Sequence, residues 1–168
     1  IGRTWQCATI QLDFNLPERF DLKYSASDGT LKTPVMLHRV IFGSLERFAG
    51  TLIEHFAGAF PTWLSPTQVM IIPVAERHNE YAEKIKKALK KETIRVHFDE
   101  RSESVNHKIR EAQLAKVPYM LILGDKEVEA ENIAVRVRVK GNVGTASVEE
   151  FISKIKEEIK TKSLETLY

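Results

Sequence analysis

Residues 119–123 are apolar at every position, and so short a run without a polar face belongs to a strand covered on both sides. That single stretch demands a sheet with helices packed on it. Residues 69–74 form a second short apolar run. Residues 79–91 carry Tyr81, Ala82, Ile85, Ala88 and Leu89 on one helical stripe, and residues 94–98 alternate as a strand. Strand, helix and strand within this length predict a right-handed parallel crossover. A further helix is expected over residues 104–116, with Val105, Ile109 and Ala112 on its stripe and Pro118 ending it. The five lysines between Lys84 and Lys91 read as the solvated side of their helix.

Residues 132–140 alternate cleanly. Ile133, Val135, Val137 and Val139 turn one way, Ala134, Arg136, Arg138 and Lys140 the other, so that three cations line one face. Such a ribbon could track a phosphate backbone or present guanidinium to bases. It could equally be an edge strand guarded by charge against aggregation. Ser147 and Glu150 then form a capping box that opens a last helix, with Val148, Phe151, Ile152, Ile155 and Ile159 on its stripe. Residues 67–168 are thus an α/β unit built on a mixed sheet.

The preceding residues follow another pattern. Residues 8–14 alternate, with Ile10, Leu12 and Phe14 on one face and Thr9, Gln11 and Asp13 on the other, which predicts a half-buried strand. Residues 16–34 read as a connection whose strongest turn signal is Asp28-Gly29. Residues 35–37 read as a short buried strand leading through His38 and Arg39 to Gly43. From Leu45 the stripe Leu45, Phe48, Ala49, Leu52, Ile53 and Phe56 marks a packed helix, with Ser44 as its N-cap. Arg47 in the first turn has the wrong sign for the helix dipole, and a bound anion would reverse that. Strand, small-residue turn, capped helix and early arginine suit a nucleotide phosphate or adenine, and they also describe a surface arginine at an ordinary helix start. Gly58, Pro61 and Pro66 break the pattern, placing a domain boundary near Pro66.

Composition narrows the classes of function. A formal net charge of +2 over 168 residues is too small to argue for nucleic acid, so any such surface must be a local patch. Cys7 is the only cysteine, which excludes an intrachain disulfide and makes a reducing, cytoplasmic compartment the expectation. No apolar run approaches the roughly 20 residues needed to cross a bilayer. The chain begins at Ile1 without a signal pattern and is expected to be part of a longer polypeptide.

The stretch HRVIFGSLERF followed by FAGAFPTWLSP resembles motif 3 of the class II aminoacyl-tRNA synthetases, in the form found in the threonyl family. WQCATIQLDFNLPERFDL upstream and KIREAQLAKVPYMLILGDKEV downstream are similar to the same family in the same order, so the resemblance covers essentially the whole chain. It implies that residues 1–66 are the end of the catalytic domain, a partial antiparallel sheet, and that residues 67–168 are an anticodon-binding domain. It implies further that Arg47 holds ATP with Gly43 and Ser44 beside the nucleotide, and that Gln6, Thr9 and Gln11 contact the amino acid or its adenylate. Ala8 stands where many members carry glycine.

By the same resemblance His38 is one of three protein ligands of Zn2+, the others preceding this segment, while Arg110, Lys126, Glu127 and Arg136 read anticodon bases. Ser102 occupies a position where asparagine is common. The implied activity is activation of threonine with ATP and Mg2+ followed by transfer to tRNA(Thr), by an enzyme that is a homodimer. Motif 2 has no counterpart in these residues, so the chain alone is expected to be inactive. The competing reading is a synthetase-like module that binds RNA or protein without catalysis. Intact His38 and Arg47 argue against it, because such a module has no physical need of either.

Overall fold

In the computed structural model, which describes Gly2 and residues 4–168, the chain divides into a unit ending at His55 and a unit Phe56–Tyr168. Among the described residues no helix is long and apolar enough to cross a membrane.

The first unit opens on strand β1 (Thr9–Asp13) and helix α1 (Asn15–Arg19). The hairpin β2 (Tyr24–Ser25) and β3 (Leu31–Lys32) follows, then β4 (Met36–Val40) and helix α2 (Leu45–Phe56). β1 pairs antiparallel with β4, setting Gln11 opposite His38 and Asp13 opposite Met36. Asp28 and Gly29 make the expected turn. Asp28 accepts from the Thr30 backbone and hydroxyl and from Lys32 Nζ at 2.7 Å, contacts that bring its carboxyl down to about 2, Lys32 foremost.

Two expectations fail in this unit. α1 falls where only a connection and a hairpin were expected. Its start is held by Asp13 Oδ1, which accepts the Asn15 and Leu16 N–H groups at 2.9 and 3.0 Å, and Pro17 is tolerated because a first turn needs no donor there. The strands are also not buried: Ile10 is 66% and Leu12 57% exposed, Leu37 lies open on β4, and α2 buries none of its residues. Alternation identifies the apolar face of an element, but a two-stranded sheet offers nothing to cover it.

The second unit is self-sufficient. Strand β5 (Val69–Pro73) leads through a short 3-10 turn, Glu76–His78, into α3 (Asn79–Lys91) and β6 (Val96–Phe98). α4 (Val105–Leu114), β7 (Tyr119–Leu123), α5 (Asp125–Glu129), β8 (Ile133–Val137), β9 (Gly141–Ala146) and α6 (Val148–Thr161) complete it. The sheet order is β6-β5-β7-β8-β9, parallel across the first three strands and antiparallel across the last three. On one face Ala82, Ile85 and Leu89 of α3 and Phe151 and Ile155 of α6 pack against Ile71, Tyr119, Leu121 and Val135. On the other, Ala112 of α4 joins Ile72, Val117 and Met120. The expected mixed sheet flanked by helices is therefore present. Ser147 caps the last helix as expected, its Oγ accepting from Glu150 N–H, and Ser104, not foreseen as a cap, does the same for α4 by accepting from His107 N–H.

The three-cation ribbon does not form. β8 ends at Val137 and is an inner strand, because β9, absent from the sequence reading, pairs on its far side. Beyond that end Val139 is 86% exposed, Arg138 turns to backbone carbonyls and Lys140 Nζ donates to the Tyr168 carbonyl.

The segment around Pro66 lies inside the second unit. Arg138 donates to the carbonyls of Ala59, Phe60 and Lys116 at 3.1, 3.1 and 2.6 Å, and Arg95 to those of Trp63 and Ser65. Gln68 bridges the Thr62 carbonyl and the Arg95 N–H. Glycine and proline end the helix there, and the carbonyls they leave unpaired become the handholds for these arginines.

Candidate functional site

Directly paired residues of two strands point to the same side, so Thr9, Gln11 and Asp13 share a face with Val40, His38 and Met36. At one end of this face His38 Nε2 lies 2.9 Å from Asp13 Oδ2. The Asp13 carboxyl is held below its ordinary range, first by the Leu16 N–H and then by His38. At the other end Arg47 Nη2 donates to the Gln6 carbonyl at 2.9 Å, and Gln6 Nε2 donates to Thr9 Oγ1 at 2.9 Å. Ser44 Oγ caps α2 by accepting the Arg47 N–H.

Gly43 suits this arrangement, since its φ of +69 is a conformation that other residues rarely adopt and a Cβ there would also crowd Arg47 Nη2 at 3.0 Å. Gln6, Thr9, Ser44 and Arg47 are thus joined by hydrogen bonds, with Gly43 against Arg47, while Gln11 and His38 join them only through the strand face they share with Thr9. No group of three or more His, Cys, Asp or Glu residues able to hold a metal occurs among the described residues. His38, with Asp13 beside it, does not by itself complete a zinc site.

In the second unit the face that carries α4 is only half covered. α4 lies over β5, whereas Arg136, opposite Met120 on β7 and Asn142 on β9, sits on the open half with Ala134 and Thr145. Ile109, Ile122, Ala134, Arg136 and Asn142 line a cavity of about 210 Å³. Arg136 Nε is buried without a partner. A buried donor left without an acceptor costs about 1–3 kcal/mol, a cost that an acceptor arriving from outside would remove.

Arg110 stands exposed on α4. Lys126 and Glu127 stand together on α5, beyond the end of β7, where Glu127 Oε2 accepts the Gly124 N–H at 2.9 Å. Ser102 borders a separate cavity of about 310 Å³ with Glu76, Asn79, Arg101 and Lys108, at the carboxyl ends of β5 and β6, where open α/β sheets place ligands. The structure therefore brings Lys126 and Glu127 together and sets Arg110 and Arg136 on separate elements. Asn142 was not foreseen, because β9 was not.

Beside the second cavity, Arg101 grips Asp99 through Nε at 2.8 Å and Nη2 at 2.6 Å and reaches Glu111, while the buried Lys108 donates to the Asp99 carbonyl. The Arg101 hydrogen bonds lower the Asp99 carboxyl below its ordinary value. A depressed folded value contributes stability that is present above the unfolded value and lost as pH falls through the folded one. Denaturant midpoints should therefore separate wild type from Asp99→Asn at neutral pH and converge as the pH falls through the depressed titration of this carboxyl. A gap that stays constant with pH would show that the ion pair contributes nothing.

The second unit is thus a mixed sheet with helices on both faces, an open half-face that bears an unpartnered arginine, and a crevice at the strand ends. Residues 68–158 match the family model described as the anticodon binding domain, and the chain belongs to that family. Residues 1–56 match a second model, the tRNA synthetase class II core domain (G, H, P, S and T).

The relatives are more particular. The chain is homologous to threonine–tRNA ligases, being 58% identical over 164 residues to that of Caldanaerobacter subterraneus and 61% identical over 163 residues to that of Clostridium botulinum. The matches cover 98% and 97% of this chain but 26% of each relative, so the chain spans about a quarter of their length. Among solved structures, the RNA binding domain of threonyl-tRNA synthetase from Cryptosporidium parvum superposes with a TM-score of 0.83 at 36% identity, over 92% of this chain and 40% of that one.

Proposed function

We propose that the chain is the carboxy-terminal part of a threonine–tRNA ligase, whose second unit reads the anticodon of tRNA(Thr) and whose first unit contributes to the ATP and threonine site. The observation that carries the RNA reading is Arg136: a planar fork of donors, one of them buried and unpaired, on the uncovered half of a sheet of the anticodon-binding family. Lys126 offers a cation beside it in function, and the free oxygen of Glu127 suits a base amino or imino group, since carboxylates avoid phosphates. The solved RNA binding domain to which the chain is similar supports the same assignment.

The catalytic part of the reading rests on the polar patch around Arg47 and Thr9 in the first unit. In the proposed reaction the threonine carboxylate attacks the α-phosphate of ATP and displaces pyrophosphate, and the terminal ribose of the tRNA then takes the threonyl group as AMP leaves. Arg47 stacks on or forks onto the nucleotide, a task to which lysine is less suited. Gln6, Thr9 and Gln11 supply uncharged hydrogen bonds to the amino acid or its adenylate, and Mg2+ accompanies ATP. His38 is one imidazole of a zinc set whose remaining donors lie outside the described residues. The intact enzyme is a homodimer in this reading.

The alternative, an RNA- or protein-binding module without catalysis, leaves the Arg47, Gln6 and Thr9 network without a purpose. Amino-acid-dependent ATP–pyrophosphate exchange by the longer polypeptide that contains this chain separates the two. Exchange with threonine is the expected result. Exchange with proline or histidine in its place would assign a different synthetase, and exchange with no amino acid would leave the binding module.

A further inference from the structure

One carboxylate ties the short helix that carries Lys126 and Glu127 to the loop after β5. Arg77 donates to Asp125 as a fork, Nε to Oδ1 at 2.8 Å and Nη2 to Oδ2 at 2.6 Å, and His78 Nε2 lies 2.9 Å from the same Oδ1. His78 is only 2% exposed. Its other ring nitrogen, Nδ1, accepts the Ala75 N–H at 3.1 Å, so the proton resides on Nε2 and points at Asp125. The backbone thereby sets the tautomer.

On the opposite side Gly124 N–H donates to Glu127 Oε2, and a Cβ at Gly124 would crowd that oxygen at 3.1 Å. Arg77, His78, Asp125, Gly124 and Glu127 are consequently one chain of contacts from the β5 loop to the first turn of α5. A helix of five residues cannot hold its own conformation, because isolated helices shorter than about 12 residues are marginal in water. Its direction must come from an anchor. Arg77 and Asp125 have side chains 66% and 60% exposed, and a pair so open to solvent adds little stability, which leaves orientation as the use of the fork.

We propose that Asp125, gripped by Arg77 and His78, is a positioning residue that aims Lys126 and Glu127 and thereby sets discrimination among anticodon bases. The proposal rests on the anticodon reading given above. The Asp125 carboxyl is held well below the usual carboxylate range, by Arg77 first and His78 second, so the clamp stays charged at neutral pH.

The test compares wild type, Asp125→Asn and Arg77→Ala in binding a threonine-tRNA anticodon stem-loop and the same RNA with single anticodon bases replaced. The ratio of the two affinities should fall about fivefold in both variants, with unchanged thermal midpoints. Arg77→Ala, at an exposed side chain, keeps the result independent of folding. Loss of a cation alone would weaken all RNAs alike and leave the ratio intact, and that outcome overturns the proposal. A wild-type protein that does not distinguish the RNAs would instead overturn the anticodon reading on which it stands.

Discussion

Arg136→Ala should weaken binding of a threonine anticodon stem-loop by roughly 10- to 100-fold at fixed salt. Two effects combine in that loss. One is the charge itself, which acts on every RNA and should lower the salt slope by about one counterion. The other is specific: Arg136 stands on an inner strand, its backbone opposite Met120 on one side and Asn142 on the other, so the stem of the side chain starts from a fixed place. Titrations at several salt concentrations, with the cognate loop and with anticodon-substituted loops, separate the two. Unchanged affinity for the cognate loop would remove Arg136 from the interface.

Arg138→Met should lower the stability of the second unit by about 2–4 kcal/mol. Its guanidinium satisfies the carbonyls of Ala59, Phe60 and Lys116, and burial pulls its pKa below the ordinary arginine value. Methionine keeps much of the apolar stem and supplies no donor, so the Ala59 and Lys116 carbonyls lose their partner, Phe60 keeps only the Ser65 hydroxyl, and the packing stays close. Urea unfolding of the two proteins measures the difference. A change below about 0.5 kcal/mol would mean that water replaces the guanidinium at all three carbonyls.

The contrast between these neighbours shows where sequence reading stops. Alternation correctly set Ile133, Val135 and Val137 against the core, yet it could not foresee that the strand ends before Arg138 or that a bulge between Val135 and Arg136 changes the register with β9. β9 escaped because two glycines and a lone valine in six residues carry no period. α1 and α5, five residues each, are too short for a helical stripe. Long periodic elements were legible: residues 79–91 were expected as a helix, and α3 spans them.

The patch of the first unit was legible only through family resemblance. Arg47 and the Gln6 carbonyl are 41 residues apart, and no local signal joins them. The reading of β1, β4 and α2 as packed elements failed for a different reason, since a pattern names the apolar side of an element and is silent about whether anything lies against it.

Most arginines of the second unit are already occupied: Arg77 by Asp125, Arg95 and Arg138 by carbonyls, Arg101 by Asp99 and Glu111. Among the described arginines of this unit only Arg110 and Arg136 have side chains without a hydrogen bond or ion pair. Guanidinium groups free to fork onto a base edge are therefore scarce here, whereas exposed lysines such as Lys87, Lys90, Lys91 and Lys126 can neutralise phosphates of any RNA. In the RNA-binding reading, residence time then becomes the sorting variable: the lysines hold any RNA loosely, and only one that fills the two vacant guanidinium groups lingers.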